Sequence, residues 1–228
     1  MSTATTTTTE TQAESLAVEK PKLRGVLHQW AAAFSVGAGV VLVALAPTQR
    51  TALASALYAL SLVGLFTISA TYHRVNWAPR GRAWMRRADH AAIFLLIAGT
   101  YTPVAMLGLP EEVGNRLMLY IYTGAAIGIL QSLFWVGAPK FITAALAVAV
   151  GWIMMPYFGD VFRSLGGNGV GLIIGGGIAY TTGALAYALK RPNPKPGVFG
   201  YHEVFHALTI VGAGFHFVLV LQMVRAAR

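Results

Sequence analysis

The sequence predicts an all-α integral membrane protein, a bundle of seven transmembrane helices with a cytoplasmic N-terminus and an extracytoplasmic C-terminus. Three observations predict it. Hydrophobic residues make up 56% of the 228 and charged residues only 11%. A soluble domain carries about 25% charged residues, so this chain cannot cover a globule with polar surface. Seven stretches hold no Asp, Glu, Lys or Arg: 26–49, 51–73, 90–110, 117–139, 141–159, 164–189 and 204–224, each 19 to 26 residues long. A spanning helix takes about 20 residues and satisfies its own backbone, whereas barrel strands are about half as long and alternate in polarity, which these do not. The third observation is where the positive charges fall.

The elements follow in order. Residues 1–22 open with seven Thr in the first eleven positions, a polar low-complexity tail expected to be disordered. It lacks the basic and apolar regions of a signal peptide, so the first helix is expected to serve as the insertion signal. Residues 23–228 are expected to form the seven-helix domain, with helices near 26–46, 51–73, 89–109, 117–136, 140–157, 170–189 and 203–224. Recurrent small residues, such as Gly124 with Gly128 and Gly171 with Gly175, read as close helix packing. Gly175-Gly176-Gly177 lacks a phosphate-loop context. Pro103 and Pro156 are expected to kink or end their helices. Cysteine is absent, which excludes a disulfide framework, a thiolate metal site and a Cys nucleophile.

Seven spans put the termini on opposite sides. One side holds Lys20, Lys22, Arg24, Arg74, Arg80, Arg82, Arg86, Arg87, Lys140, Lys190, Arg191 and Lys195, which is 12 basic residues. The other holds Arg50, Arg116, Arg163, Arg225 and Arg228, which is 5. Lys and Arg accumulate on the cytoplasmic side, so the N-terminus is expected inside. The net charge of +9 therefore speaks of membrane insertion and not of nucleic acid.

Ionisable residues within membrane helices are costly and mark functional sites. This topology places His28, His73, His90, His202, His206 and Asp89 in one layer, at the cytoplasmic ends of four helices. His202 and His206 are i, i+4 and share a helix face, a spacing at which two imidazoles can hold one metal. A catalytic zinc takes three protein ligands and an open position, and His73 can supply the third. Asp89 could act as general base or orient a ligand. Ser69, one turn below His73, could bond the water or Asp89. His28 and His90 read as hydrogen-bonding residues at headgroup level, and His216, about 21 Å beyond His202 at 1.5 Å per residue, reads as interior packing.

Residues 202–206 also match H-E-x-x-H, the zinc-protease pattern with Glu203 as base. The extended pattern fails, because positions 209 and 212 are Thr and Gly where it needs Gly and His. An intramembrane metalloprotease using Asp89 as third ligand is the lesser alternative.

Several motifs carry a family resemblance, in order and over essentially the whole chain after residue 22. Arg24-Gly25-Val-Leu-His28, Ser69-Ala-Thr-Tyr72-His73, Asp89-His90-Ala-Ala-Ile93 followed by Gly99-Thr100-Tyr101-Thr102-Pro103, and Gly200-Tyr201-His202-Glu203-Val-Phe205-His206 followed by Gly212-Ala213-Gly214-Phe-His216-Phe217 resemble the hemolysin III-like proteins. That family belongs with the progestin and adipoQ receptors and relates more distantly to alkaline ceramidases. The resemblance implies seven helices with the N-terminus inside. It also implies a zinc held by His73, His202 and His206, with Ser69 and Asp89 beside it. It makes Glu203 a variable position, against the protease reading. It implies a zinc-dependent hydrolase of a membrane lipid amide or ester, acting in membrane homeostasis in a bacterial plasma membrane. The alternative is a non-enzymatic sensor, channel or hemolysin-type protein in which zinc is structural. A pore needs a polar stripe through the bilayer, and only Gln131, Thr209, His216 and scattered Ser and Thr could contribute to one. Substrate identity and oligomeric state cannot be read from the sequence.

Overall fold

A computed structural model describes residues 21–135 and 137–227. Most of the Thr-rich tail lies outside the described residues, as do Lys20, Val136 and Arg228. The last residue of the expected tail is held: Lys22 N donates to Gly197 O at 3.0 Å and Leu23 N to Val198 O at 3.3 Å. These bonds tie the chain before the first helix to the loop before the last.

Among the described residues the chain is all-helical, with no strand. The helices are α1 (Val26–Leu45), α2 (Gln49–Arg74), α3 (Pro79–Leu107), α4 (Glu111–Phe134), α5 (Lys140–Gly151), a 3₁₀ turn (Met155–Tyr157), α6 (Phe158–Leu189) and α7 (Tyr201–Ala226). Six segments are long and apolar enough to cross a membrane: α1, α2, α3, α4, α7 and the 50-residue stretch Lys140–Leu189, which contains α5, the turn and α6.

Four expected boundaries are corrected, one of them the start of the fourth helix, which lies at Glu111 and not 117. The third helix begins at Pro79 and not near 89, because a helix with Pro in its first turn is well started and its charged turns can project beyond the bilayer. The fifth ends at Gly151 instead of 157, giving about 18 Å at 1.5 Å per residue, and Pro156 falls in the 3₁₀ turn. The sixth begins at Phe158 instead of 170, and Gly166 interrupts it at φ 68, ψ −177. Pro103 does not end α3, which runs on to Leu107.

The helices pack sequentially, α1 on α2, α2 on α3 and α3 on α4, while α6 pairs with α7 and α7 returns to α1. Helix α3 also touches α5 and α7, and 67% of its most apolar window is buried against 22% for α1, so α3 is the central helix. Tyr58, Phe94, Leu117 and Ile121 fill the interior, while Phe34, Leu60, Phe134 and Phe141 face outward. An apolar exterior on an apolar core is the surface a bilayer requires.

Candidate metal centre

Four helix ends meet at one end of the bundle. The last turn of α2 carries Ser69 and His73, and Trp77 Nε1 donates to Thr71 O at 3.2 Å, turning the chain back toward α3. The N-terminal half of α3 carries Asp89 and His90. At the start of α7, Glu203 reaches back so that its Oε2 accepts from Gly200 N at 2.8 Å. Its Oε1 accepts from Arg24 Nε at 2.5 Å. Gly25 follows Arg24 at φ 76, and a Cβ there would lie 2.7 Å from the Cβ of His73. Glycine is thus required on both counts, conformation and space, and it lets the start of α1 lie against the end of α2.

The three expected ligands come together. The ring nitrogens of His73, His202 and His206 lie within 4.8 Å of one another, with His202 and His206 buried. His73 Nε2 and His202 Nε2 are 3.1 Å apart. The three rings are mutually inclined, at 78°, 58° and 62°, so nitrogens converge where stacked rings would merely pile. Ligands at the 2.0–2.1 Å of a Zn–N bond lie roughly 3.3–3.5 Å apart in a tetrahedron. The set therefore fits zinc with small side-chain adjustments: three neutral-capable nitrogens, no competing cation among them, and one carboxylate beside them.

That carboxylate is Asp89, whose Oδ2 lies 3.8 Å from His73 Nε2. Ser69 is hydrogen-bonded to Asp89 and its Oγ lies 2.9 Å from His28 Nδ1. When Asp89 is ionised it only accepts, so Ser69 then donates to it, and Ser69 Oγ accepts from His28 Nδ1–H. A chain of hydrogen bonds thus runs from α1 through α2 to α3.

His28 corrects an expectation. It faces the interior of the bundle and not its surface. It is 2% exposed, and its ring stacks on His206 with centroids 3.8 Å apart and planes at 8°. His90 likewise lines the internal cavity. Glu203, the base of the protease pattern, is fully buried with both oxygens engaged, so it serves the fold at the start of α7.

Two openings adjoin the cluster. An apolar cavity of about 160 Å³ reaches from Ser69, Asp89, His202 and His206 into the bundle, past Ile97, Leu219 and His216. On the other side a polar vestibule is bordered by His73, Asp89, Arg24, Arg82, Arg86 and Lys140. Lys140 Nζ donates to Tyr201 OH at 3.1 Å.

The sequence matches the model of the haemolysin-III related family over residues 16–217, most of the chain. It is 29% identical to Hemolysin-3 of Bacillus cereus over 209 residues, covering 90% of this chain and 91% of that one. It is 27% identical to the Hemolysin-3 homolog of Bacillus subtilis (strain 168) over 165 residues, 72% of this chain and 74% of that one. It is 28% identical to the heptahelical transmembrane protein ADIPOR2 of Oryza sativa subsp. japonica over 179 residues, 70% of this chain and 78% of that one. The last match links the chain to the progestin and adipoQ receptor superfamily. The chain belongs to the haemolysin-III related family and is a multi-pass membrane protein.

Proposed function

Taking that membership as the premise, we propose that the protein is a zinc-dependent hydrolase of a membrane lipid amide or ester. His73, His202 and His206 hold the metal, and Asp89 and Ser69 are the catalytic pair. One observation carries the reading: three imidazole nitrogens converge, with His202 and His206 lining the polar end of an otherwise apolar cavity and His73 bordering the vestibule beside it. A cavity of that character takes an acyl chain and brings its carbonyl to the polar end.

Zinc bound there supplies Lewis acidity toward a carbonyl and draws the pKa of water toward about 7. The protein's own residues do the rest. Asp89 accepts the proton of the attacking water at a carboxylate oxygen and returns it to the departing nitrogen or oxygen. The carbonyl carbon gains a C–O bond and loses its bond to the leaving group, so a fatty acid and an amine or alcohol result. Ser69 fixes the Asp89 carboxylate, and His28 fixes Ser69.

The same reading takes the chain across the membrane seven times. Helices α5 and α6 make two of the crossings, and the end rich in Lys and Arg lies in the cytoplasm of a bacterial cell. The name heptahelical, carried by the rice relative, supports that count, and the 12-to-5 distribution of basic residues supports the orientation. Reporter fusions after α4 and after α7 test it: an active cytoplasmic reporter at residue 137 and an active extracytoplasmic one at the C-terminus are expected.

A second reading is favoured by the name Hemolysin-3 of the bacterial relatives: a membrane-active protein without turnover, in which zinc is structural. Hydrolysis of a panel of lipid amides and esters by purified protein separates the two. Turnover that falls about 10²–10⁴-fold in Asp89→Asn with its zinc retained supports the hydrolase. Zinc without turnover on any lipid supports the second reading.

A further inference from the structure

A second polar site lies deeper in the same cavity, away from the candidate ligands. His216 is ten residues beyond His206 on α7, about 15 Å along the helix, and Tyr180 faces it from α6 with ring centroids 5.6 Å apart. Both residues line the cavity.

Each ring is seated on a glycine of the opposite helix. A Cβ on Gly176 would collide with the His216 imidazole, and a Cβ on Gly212 would lie 2.8–2.9 Å from the Tyr180 ring. The reciprocal arrangement holds both rings in place between α6 and α7. Packing alone would be served by Phe at either position. Instead, both carry polar atoms that are buried without a hydrogen-bond partner among the described residues, His216 Nδ1 and Tyr180 OH.

The donor pattern is defined. His216 Nε2 lies 3.4 Å from Ile173 O. A carbonyl oxygen only accepts, so Nε2 carries the proton and the neutral imidazole leaves Nδ1 as an acceptor. The Tyr180 hydroxyl can donate. An acceptor and a donor on neighbouring rings that line an apolar cavity match one group above others, a hydroxyl, which donates to the first and accepts from the second. A plain methylene would leave both polar atoms unsatisfied, the arrangement by which a site rejects an analogue lacking the group.

We propose that His216 and Tyr180 form a hydroxyl-recognition subsite for the lipid chain, so that the preferred ligand carries a hydroxyl partway along its apolar chain. This rests on the lipid-hydrolase reading for the identity of the ligand. A water molecule offers the same hydroxyl chemistry, and the test separates the two sources.

The probes are ricinoleoyl ethanolamide and oleoyl ethanolamide, which differ by one mid-chain hydroxyl. Their affinities are measured by displacement of a fluorescent long-chain amide from the purified, zinc-loaded protein in detergent. Two hydrogen bonds gained in the cavity predict about tenfold tighter binding of the hydroxylated amide. Tyr180→Phe, which removes one oxygen and keeps the ring on Gly212, is expected to cut that preference to about threefold or less, and His216→Phe to do the same. Zinc content is expected to stay at the wild-type level in both. Equal affinity of the wild type for the two amides overturns the proposal and leaves water as the occupant. So does an undiminished preference in Tyr180→Phe, or no binding of either amide. Hydrolysis is scored separately: a hydroxyl preference without turnover sinks the hydrolase and spares this subsite, and turnover without preference does the reverse.

Discussion

The two ends of the bundle hold their polar side chains in opposite ways. At the end where α1 and α7 begin, the paired polar residues are buried or half-buried and their partners are distant in sequence. His28 reaches Ser69, His73 reaches His202, and Arg24 reaches Glu203. At the far end the pairs are exposed and mostly local. Asp160 binds Arg163 one turn on, Glu112 approaches Arg116 at 3.8 Å, and Asn168 meets Gln222 at the surface. Exposed pairs of this kind are worth about 0–1 kcal/mol. Burying a polar group without compensation is costly, so the first end persists only because its groups satisfy one another or a ligand. The difference separates a built site from a solvated rim.

The contrast can be broken from its most sensitive point outward. Glu203→Ala is expected to be the most disruptive change. It leaves Arg24 without its carboxylate and Gly200 N without an acceptor, and breaking a buried pair costs about 3–5 kcal/mol. Arg24 is 21% exposed at its side chain, which sets the lower part of that range. Detergent melting curves should show a large fall in Tm, and a change within error would place Glu203 outside the fold's essential contacts. Gly25→Ala comes next. It forces a Cβ toward His73 at a positive φ, and strain of this type costs about 1–3 kcal/mol. A lowered Tm together with weakened zinc retention is expected, whereas an unchanged protein would show that α1 can shift freely against α2.

A subtler change is His28→Phe, which keeps a ring against His206 and removes the bond to Ser69. Zinc should stay bound, while turnover falls about tenfold or more, as loss of an outer-shell partner does. Retained turnover would confine His28 to packing. At the small end of the scale, Arg163→Ala should change stability by under about 0.5 kcal/mol. A large loss there would dissolve the distinction between the two ends.

Much of this was legible beforehand, for identifiable reasons. Scarcity of charge outlines membrane helices, and the unequal Lys and Arg counts order them. Those two facts bring His73, Asp89, His202 and His206 to one level before any coordinates exist. The i, i+4 spacing of His202 and His206 needs only a helix. The place of His28 was not legible, because nothing local says that α1 lies beside α7 so closely that two imidazoles stack. The start of α3 is not legible for a different reason. Charge marks where a helix leaves the apolar layer, and Pro79 to Arg87 continue the helix outside it. The division of residues 140–189 into α5, a 3₁₀ turn and a helix broken at Gly166 depends on packing against α3 and α7, which hydropathy does not report. The expected role of Glu203 in a protease pattern yields to its two hydrogen bonds, since a motif of five residues carries no information about what its acid is bound to.

The central claim is that His73, His202 and His206 hold one metal ion. Elemental analysis of the purified protein, beside His206→Ala and His73→Ala, tests it most directly. The account predicts about one zinc per wild-type chain and a loss of most of it in each variant, since a zinc site rarely survives with two of its three protein ligands. Wild-type protein purified without zinc and unable to take it up would contradict the account. So would a His73→Ala variant with undiminished zinc, which would pass the third position to Asp89.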